Sequence, residues 1–563
     1  MNAHLMDNQA RPAPKQKHEA VVLHFDYDCF YAQVFENKDP TLKSKPLGVR
    51  QKNILATCNY NARKLGAKKL MFVSEARKLC KDLVLVDGED LTPFRDMSKL
   101  LFDFLRSYSW NNKVERLGFD EVFMDVTDII DYNIECLSIS CLSQSFFSLS
   151  KTNPEAGFQC DLTDFAGRVE GTIPDEAPLD NKLYLRLLLG SHLANHLRSK
   201  METELGYTST CGISTNKLLS KLAGARNKPR DQTTLLAFSD DHVYAFVDAH
   251  KTRQVPGIGS KTAMQLESHV LGDQVELESQ FTSVLFVKEV RLHPSMSPGF
   301  LETLLAGPGA EKGVGARVWS LLHGIDPTGV RISSNFPSQI SIEDTFKGLE
   351  TVSQITEELH KLSCSLIRRM RIDLLTVDQH ADIPGAQRWI ARPKTLRLAI
   401  RSWPIRQGTT PSQNFSRASR SGPLPSFVFD TQSDIDELAQ KLVAESLLPL
   451  LRRLKGDGGS RWNLQLMNIC VANMRAGAAD DRDGAGRDIS AMFKNQDEVL
   501  RPFRIDPIPE SGKIDPIDST STDGSEKNID WDDDADRPAC PRCGHSLPLF
   551  AMSAHMRFHE MEG

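Results

Sequence analysis

Three carboxylates in two short apolar runs could hold a pair of divalent cations. Asp26 lies in VVLHFDYDCFYAQ, and Asp120 and Glu121 adjoin in VERLGFDEVFMDVTD. Both runs read as strands, with acids where the strand meets a turn. In a regular strand residues 120 and 121 would point to opposite faces, so both reach one site only near a bend. Gly118, just ahead, supplies the loosened backbone a bend requires. Carboxylates on adjacent strands make a hard-oxygen nest suited to two Mg²⁺ ions about 4 Å apart, whose work is in-line displacement at phosphorus. A single aspartate is more often a strand-end charge or a helix cap. Asp28 reads as such a cap, for a helix beginning at Cys29.

The elements that must position these acids can be followed along the chain. CNYNARKLGAKKL gathers Arg63, Lys64, Lys68 and Lys69 beside Tyr60, a grouping suited to a triphosphate because guanidinium pairs bidentately with phosphate oxygens. Lys64, Lys68 and Lys69 read as a solvated helix face. Residues 131–180 lack clean periodicity and read as a surface insertion. LYLRLLLGSHLANHLRSKMETEL restores helical spacing through Leu183, Leu187 and Leu188. Further on, ISIEDTF reads as a strand, and Ile355, Leu359, Leu362 and Leu366 form a helical stripe. TLRLAIRSW is an alternating strand exposing Arg397 and Arg401 on one face. A second helix, starting near Ser433, carries Leu438, Leu442 and Val443, and WNLQLMNICV closes a sheet.

Five blocks carry a family likeness. HFDYDCFYAQV, LGVRQKNILATCNYNARKLGAKKLM, LVDGEDLTPFRDMS, VERLGFDEVFMDVTD and GISTNKLLSKLAGARNKPRDQT resemble, in order, those of the Y-family translesion DNA polymerases, with the iota branch ahead of the eta branch. The likeness runs from about residue 20 to 475 and is strongest before 235. It implies an α+β multidomain, right-hand polymerase: palm at 20–36 and 94–235, fingers at 37–93, a helical thumb at 236–335, and a little finger at 336–475. A disordered lead (1–19), a linker (476–537) and a small zinc finger (538–563) complete the expected organisation.

The resemblance also implies roles. Asp26, Asp120 and Glu121 would hold two Mg²⁺ (or Mn²⁺), with the Tyr27 carbonyl completing one coordination sphere. Tyr31 would be an aromatic gate under the incoming sugar, beside Phe30, which reads more as a core member. Thr57, Tyr60, Arg63 and Lys228 would contact the nucleotide. Gln51 would touch the template base and Ile54 would lie over the base pair, where the iota branch keeps a leucine; that narrow site favours a syn template purine. Lys217 and Lys221, four apart on one helix face, would approach the primer end. Gly257 and Gly259 in VPGIGSKTA resemble a helix-hairpin-helix, whose helix N-terminus meets a DNA phosphate without reading sequence. Arg397 and Arg401, with Arg417 and Arg420 in the loop SRASRSG, would meet phosphates of template and primer.

Composition sets the outer bounds. A chain of 563 residues can carry several cores, and 40% hydrophobic with 25% charged residues is ordinary for a globular protein. The formal net charge of -6 argues against nucleic acid only until DWDDDAD (530–536) is noticed, so local patches must decide. No stretch approaches a bilayer span, and the first twenty residues hold no apolar signal core. Of 11 cysteines only Cys540 and Cys543 form a close pair, which excludes a disulfide framework and points to a reducing, intracellular setting. The family likeness implies the nucleus.

Beyond 475 the chain reads as a Gly-, Asp- and Ser-rich tether. In GRDISAMFK, Ile489, Met492 and Phe493 make one helical face resembling a clamp-binding peptide, with Gly486 where a glutamine is usual. Cys540, Cys543, His555 and His559 spell C-x2-C-x11-H-x3-H, which fits tetrahedral Zn²⁺. The preceding acid run would repel phosphate, so the module resembles the ubiquitin-binding finger of the eta branch, although Arg557 stands where that finger has an acid. The expected function is low-fidelity, template-directed DNA synthesis past damaged bases, without proofreading. Its partners would be primed DNA, deoxynucleoside triphosphates, and ubiquitin or a ubiquitinated sliding clamp. A catalytically inactive scaffold recruiting those partners, a nucleotide cyclase, and an eta-like enzyme are the alternatives.

Overall fold

The structure, a computed structural model, describes residues 19–174, 177–272, 284–307, 310–377, 387–403, 417–455 and 462–476, with Pro541. All but the last residue of the expected lead, the clamp-binding peptide (Ile489, Met492, Phe493) and the zinc ligands (Cys540, Cys543, His555, His559) lie outside the described residues. The chain divides into two units, Met1–Arg475 and Ala476–Gly563. The first unit carries the described helices and strands, the last of which ends at Ala476.

Strand β1 (Val22–Tyr27) turns Leu23, Phe25 and Tyr27 into the main core on one face and carries Val22, His24 and Asp26 on the other. It leads into α1 (Phe30–Lys38). Strands β2 (Leu47–Gln51), β3 (Ile54–Cys58) and β4 (Val84–Asp87) make a small sheet in the order β3–β2–β4, with its own core around Leu55, Cys58, Ala62 and Ala76. Helix α2 (Thr92–Ser107) has proline in its first turn, where no donor is lost, and buries Phe94, Ser98, Leu101 and Leu105. The hairpin of β5 (Val114–Leu117) and β6 (Glu121–Asp125) follows, then β7 (Arg168–Glu170), α3 (Lys182–Lys200), β8 (Ser209–Ser214), α4 (Lys217–Gly224) and β9 (Gln232–Leu235). Six strands align as β5–β6–β1–β8–β9–β7, antiparallel as far as β8 and parallel from β8 to β7.

Residues 131–180 are not the surface insertion that their composition suggests. Ser145–Ser148 pairs with Gly157–Cys160, Phe147, Leu162 and Phe165 enter the main core, and β7 forms an edge of the six-stranded sheet. Strands of three or four residues hold too few alternations to register as a pattern. Asp28 is likewise no cap, since Cys29 occupies that position. Buried at 2% exposure, Asp28 accepts hydrogen bonds from the Thr208 and Thr210 hydroxyls (both 3.0 Å) and the Arg230 amide (2.9 Å), tying the end of β1 to β8.

From Asp240 to Leu322 the described chain is helical, with Asp240–Asp248, α5 (Ser260–Leu271), Val287–Arg291, Pro298–Leu305 and Val314–Leu322 packed around Val243, Leu266, Leu301 and Val318. A second αβ layer then forms from β10 (Gln339–Leu349), α6 (Val352–Leu374), β11 (Ala391–Ser402), β12 (Ala418–Pro423), α7 (Ile435–Leu442) and β13 (Leu464–Ala476). Helix α6 is capped by Thr351, which accepts from the Gln354 amide, and buries Ile355, Leu359, Leu362 and Leu366 against the sheet. Helix α7 starts near Ser433, as expected, with Asp434 as its cap. The sheet order is β10–β13–β11–β12, so the last strand lies inside the sheet. SRASRSG is not a loop: most of it is β12, held by β11 from Thr395↔Pro423 to Ile400↔Ala418. Among the described residues no helix is long and apolar enough to cross a membrane.

Candidate active site

The register of β1 against β6 sets the first pair of acids. Asp26 is the partner of Glu121, so their side chains leave the same face of the sheet. Asp120 lies one residue before β6, in the turn 118–120, where Gly118 has φ +71°. The turn lets neighbours 120 and 121 serve one site, and the Tyr27 amide fastens it by donating to the Asp120 carbonyl at 2.8 Å. Desolvation, then the neighbouring Asp26 and Glu121 charges, push the Asp120 carboxyl up to about 6. An Asp120 carboxyl so short of positive charge, beside Asp26 and Glu121, makes a hard-oxygen donor set that fits divalent cations.

Ammonium groups supply part of that charge. Lys228 Nζ donates to Asp26 Oδ2, and Lys221 Nζ donates to Glu121 Oε2 at 2.6 Å. Lys217, one turn before Lys221, turns instead to Glu115 at 3.1 Å. Helix α4 can deliver Lys221 because it lies almost against the sheet backbone. A Cβ on Gly212 would meet the Ser220 carbonyl at 1.9 Å and the Gly224 nitrogen at 2.4 Å. Asn216 fixes the start of the helix by accepting from the Leu219 amide at 2.9 Å.

Tyr31 lies half-buried beside this cluster and stacks on Phe94, rings 4.0 Å apart at 12°. Phe30 is buried at 2% and packs against Tyr27 and Tyr207. Both are core contacts of α1, and only the Tyr31 side is open. Arg63 is held by the Cys58 carbonyl (3.1 Å) and lies over the Tyr60 ring at 4.5 Å. Thr57 is half-buried on β3. Gln51 donates to the Gly88 carbonyl at 2.8 Å, while Ile54, paired with Phe72 through a single bridge, begins β3.

Gly257 (φ +89°) and Gly259, the residue before α5, are both exposed. On the four-stranded sheet, Arg397 and Arg401 lie on the face away from α6 and α7. Arg397 donates to Gln339 Oε1 at 3.4 Å. Arg417, one step beyond the Ala418↔Ile400 pair, shares that face and reaches Glu343. Arg420 does not: it stands opposite Leu398, whose side chain enters the core, so it belongs to the other face.

Two contributors had escaped the motifs. Phe94, an ordinary core position by its helix spacing, is the floor under Tyr31. His24, two residues before Asp26 on the same face of β1, is 2% exposed, packs on Phe123 (4.6 Å between centroids) and brings Nε2 to 4.0 Å from Glu121 Oε1. Burial first, then the charges of Lys221 and Lys228, hold its imidazole well below the usual range, so it is neutral beneath the carboxylates. The signal was available as a histidine alternating with an aspartate in an otherwise apolar strand.

With this geometry in place, comparison with known proteins places the chain. Residues 25–225 match the model of the impB/mucB/samB family and residues 337–484 match that family's C-terminal domain, together well over half the sequence. The chain belongs to this family, the Y-family DNA polymerases. Among individual relatives, it is 34% identical to DNA polymerase iota of Homo sapiens over 469 residues, 83% of this chain and 54% of that protein. It is 33% identical to the Mus musculus polymerase iota over 457 residues, 81% of this chain and 54% of the other. It is 27% identical to DNA polymerase eta of Drosophila melanogaster over 274 residues, 44% of this chain and 30% of that protein. The chain spans about half the length of the polymerase iota proteins it matches.

Proposed function

We propose that the chain is a template-directed DNA polymerase of the translesion type. The observation that carries this is the pairing of Asp26 with Glu121, with Asp120 in the adjoining turn and two ammonium groups set directly on the acids. Asp26, Asp120, Glu121 and the Tyr27 carbonyl would hold two Mg²⁺. Bound there, the ions would lower the pKa of a primer hydroxyl and neutralise a triphosphate. The chain's own residues orient the reactants: Arg63, braced on Tyr60, and Lys228 bind phosphates. The Tyr31 ring, fixed on Phe94, leaves no room for a 2′-hydroxyl. Lys221 and Lys228 are already at the acids and need only turn towards phosphate oxygens when cations take their place.

In this reading the six-stranded sheet is the palm, the three-stranded sheet the fingers, the helical stretch the thumb, and the four-stranded sheet the little finger. Exposed Gly257 and Gly259 would meet duplex phosphates, and Arg397, Arg401 and Arg417 the template strand. An iota-like rather than eta-like enzyme is favoured by Gln51 and Ile54 and by the longer, closer match to iota proteins. For the tail we keep Zn²⁺ on Cys540, Cys543, His555 and His559, ubiquitin and clamp as partners, and a nuclear location. The test is extension of a primed template with Mg²⁺ and each deoxynucleotide supplied singly. Asp120→Ala is expected to lose about a thousandfold or more in rate while still binding DNA; extension at full rate would leave the scaffold reading in its place. Frequent misinsertion opposite template T marks the iota type, and efficient passage of a thymine dimer the eta type.

A further inference from the structure

Far along the chain from the acids, on the helical side of the four-stranded sheet, three side chains of metal-ligand type meet. His360 and Cys364 are four residues apart on α6 and so share one face of it. Asp436 comes from the first turn of α7. His360 Nε2 is 3.3 Å from Asp436 Oδ1, and Cys364 Sγ is 3.8 Å from that nitrogen and 3.9 Å from that oxygen. Zinc bonds of about 2.3 Å to sulfur and about 2.0–2.2 Å to nitrogen and oxygen, at tetrahedral angles, separate such ligands by about 3.3–3.6 Å. The three atoms therefore need to close by only a few tenths of an ångström.

The surroundings suit an ion. Cys364 is buried at 7% exposure and forms the floor, while His360 and Asp436 rise to the surface. Gln440 Nε2 donates to Asp436 Oδ2 at 3.2 Å, which leaves Oδ1 turned towards the imidazole and the thiol. A groove bounded by Thr356, Glu357, Gln440 and Val443 passes His360 and opens the remaining side to water.

We propose that His360, Cys364 and Asp436 bind one Zn²⁺, with water as fourth ligand, and that the ion fastens α6 to α7. The thiol proton leaves to solvent as the sulfur–zinc bond forms, and thiolate and carboxylate together balance the dication. Imidazole with thiolate selects zinc over the hard cations expected among Asp26, Asp120 and Glu121.

Cobalt reports on the site because a thiolate ligand gives it a sulfur-to-metal charge-transfer band that carboxylates cannot. The full chain carrying Cys540→Ser and Cys543→Ser, freed of metal by chelation, is titrated with Co²⁺. We expect one equivalent to develop the charge-transfer band and tetrahedral d–d bands, and one equivalent of Zn²⁺ to bleach them. Cys364→Ala should remove the charge-transfer band. His360→Gln, at a half-open surface position, should weaken Co²⁺ binding tenfold or more, with both variants melting cooperatively. The proposal is overturned by the absence of a charge-transfer band in the parent, by a band that survives Cys364→Ala, or by unchanged Co²⁺ affinity in His360→Gln.

Discussion

Asp120 is held in an ionisation state that the metal-free protein disfavours. Its folded value, about 6, lies above that of an unfolded aspartate, so its contribution to stability is full in acid and is lost as pH rises through about 6. Asp120→Asn should therefore be more stable than the parent above that pH, by about 1 kcal/mol once solvent screening is allowed for. The gain should vanish below pH about 4. Thermal melting across pH without divalent metal tests this, and Mg²⁺ should raise the melting temperature of the parent far more than that of the variant. Tyr31→Ala removes the ring stacked on Phe94. Single-nucleotide kinetics should show discrimination against ribonucleotides falling about tenfold or more, a difference of about 1.4 kcal/mol between sugars. At this scale much could be read from the sequence: acids at strand ends and a glycine ahead of them announce a bend. Phe94 could not be assigned, because a core phenylalanine looks the same whether or not a site lies above it.

The close contact of α4 with the six-stranded sheet decides where two lysines end. Gly212→Ala puts a methyl into the Ser220 carbonyl and the Gly224 backbone, neither of which is a side chain that can swing aside. The helix must lift, at about 3 kcal/mol or more. Denaturant titration should show the loss, and primer extension should fall with it because Lys221 moves off Glu121. Elements were legible where they were long. The stripe Ile355, Leu359, Leu362 and Leu366 repeats over three turns of α6, and all four residues are buried. Elements that borrow their order from neighbours were not. β12 (Ala-Ser-Arg-Ser-Gly-Pro) holds no β-branched or aromatic residue, and it is a strand because β11 offers it an edge. The same borrowing made Arg420 hard to place, since a residue thought to lie in a loop has no face until its register is known.

Net charge hides how charge is arranged over the first unit. A cavity of about 890 Å³ beside the β5–β6 hairpin is lined by Arg95, Lys99, Arg106, Arg116, Arg331 and Arg369 against four acids, Asp96, Asp103, Glu115 and Asp373. The segment leading into β10 runs along it, fastened by Arg331 to Glu115, by the Ser333 amide to the Asn112 carbonyl, and by Arg106 to Asn335. At the turn between β2 and β3, Lys52 donates to Asp344 Oδ1 and to the Thr345 carbonyl on β10, each at 2.6 Å. An exposed contact of this kind contributes about 0–1 kcal/mol. Lys52→Ala should therefore leave global stability within that range while letting the two sheets part. Energy transfer between dyes on residues 53 and 347 should report a longer, broader distance, and salt should do the same to the parent. None of this was visible in the sequence, because residues 52 and 344 are joined only by the fold.

β1 hydrogen-bonds β6 on one edge and β8 on the other. During translation, then, the ribosome must deliver the chain through Ser214 before this central strand has both neighbours, and through Lys228 before Asp26 meets its ammonium. In the interval an apolar strand stands with one row of amides and carbonyls bare, a template for pairing with another nascent chain. Synthesis halted between Asp125 and Ser209 should therefore yield aggregates or chaperone-bound product, whereas chains carried past Leu322, which also cover Leu218, Leu219 and Leu222, should not.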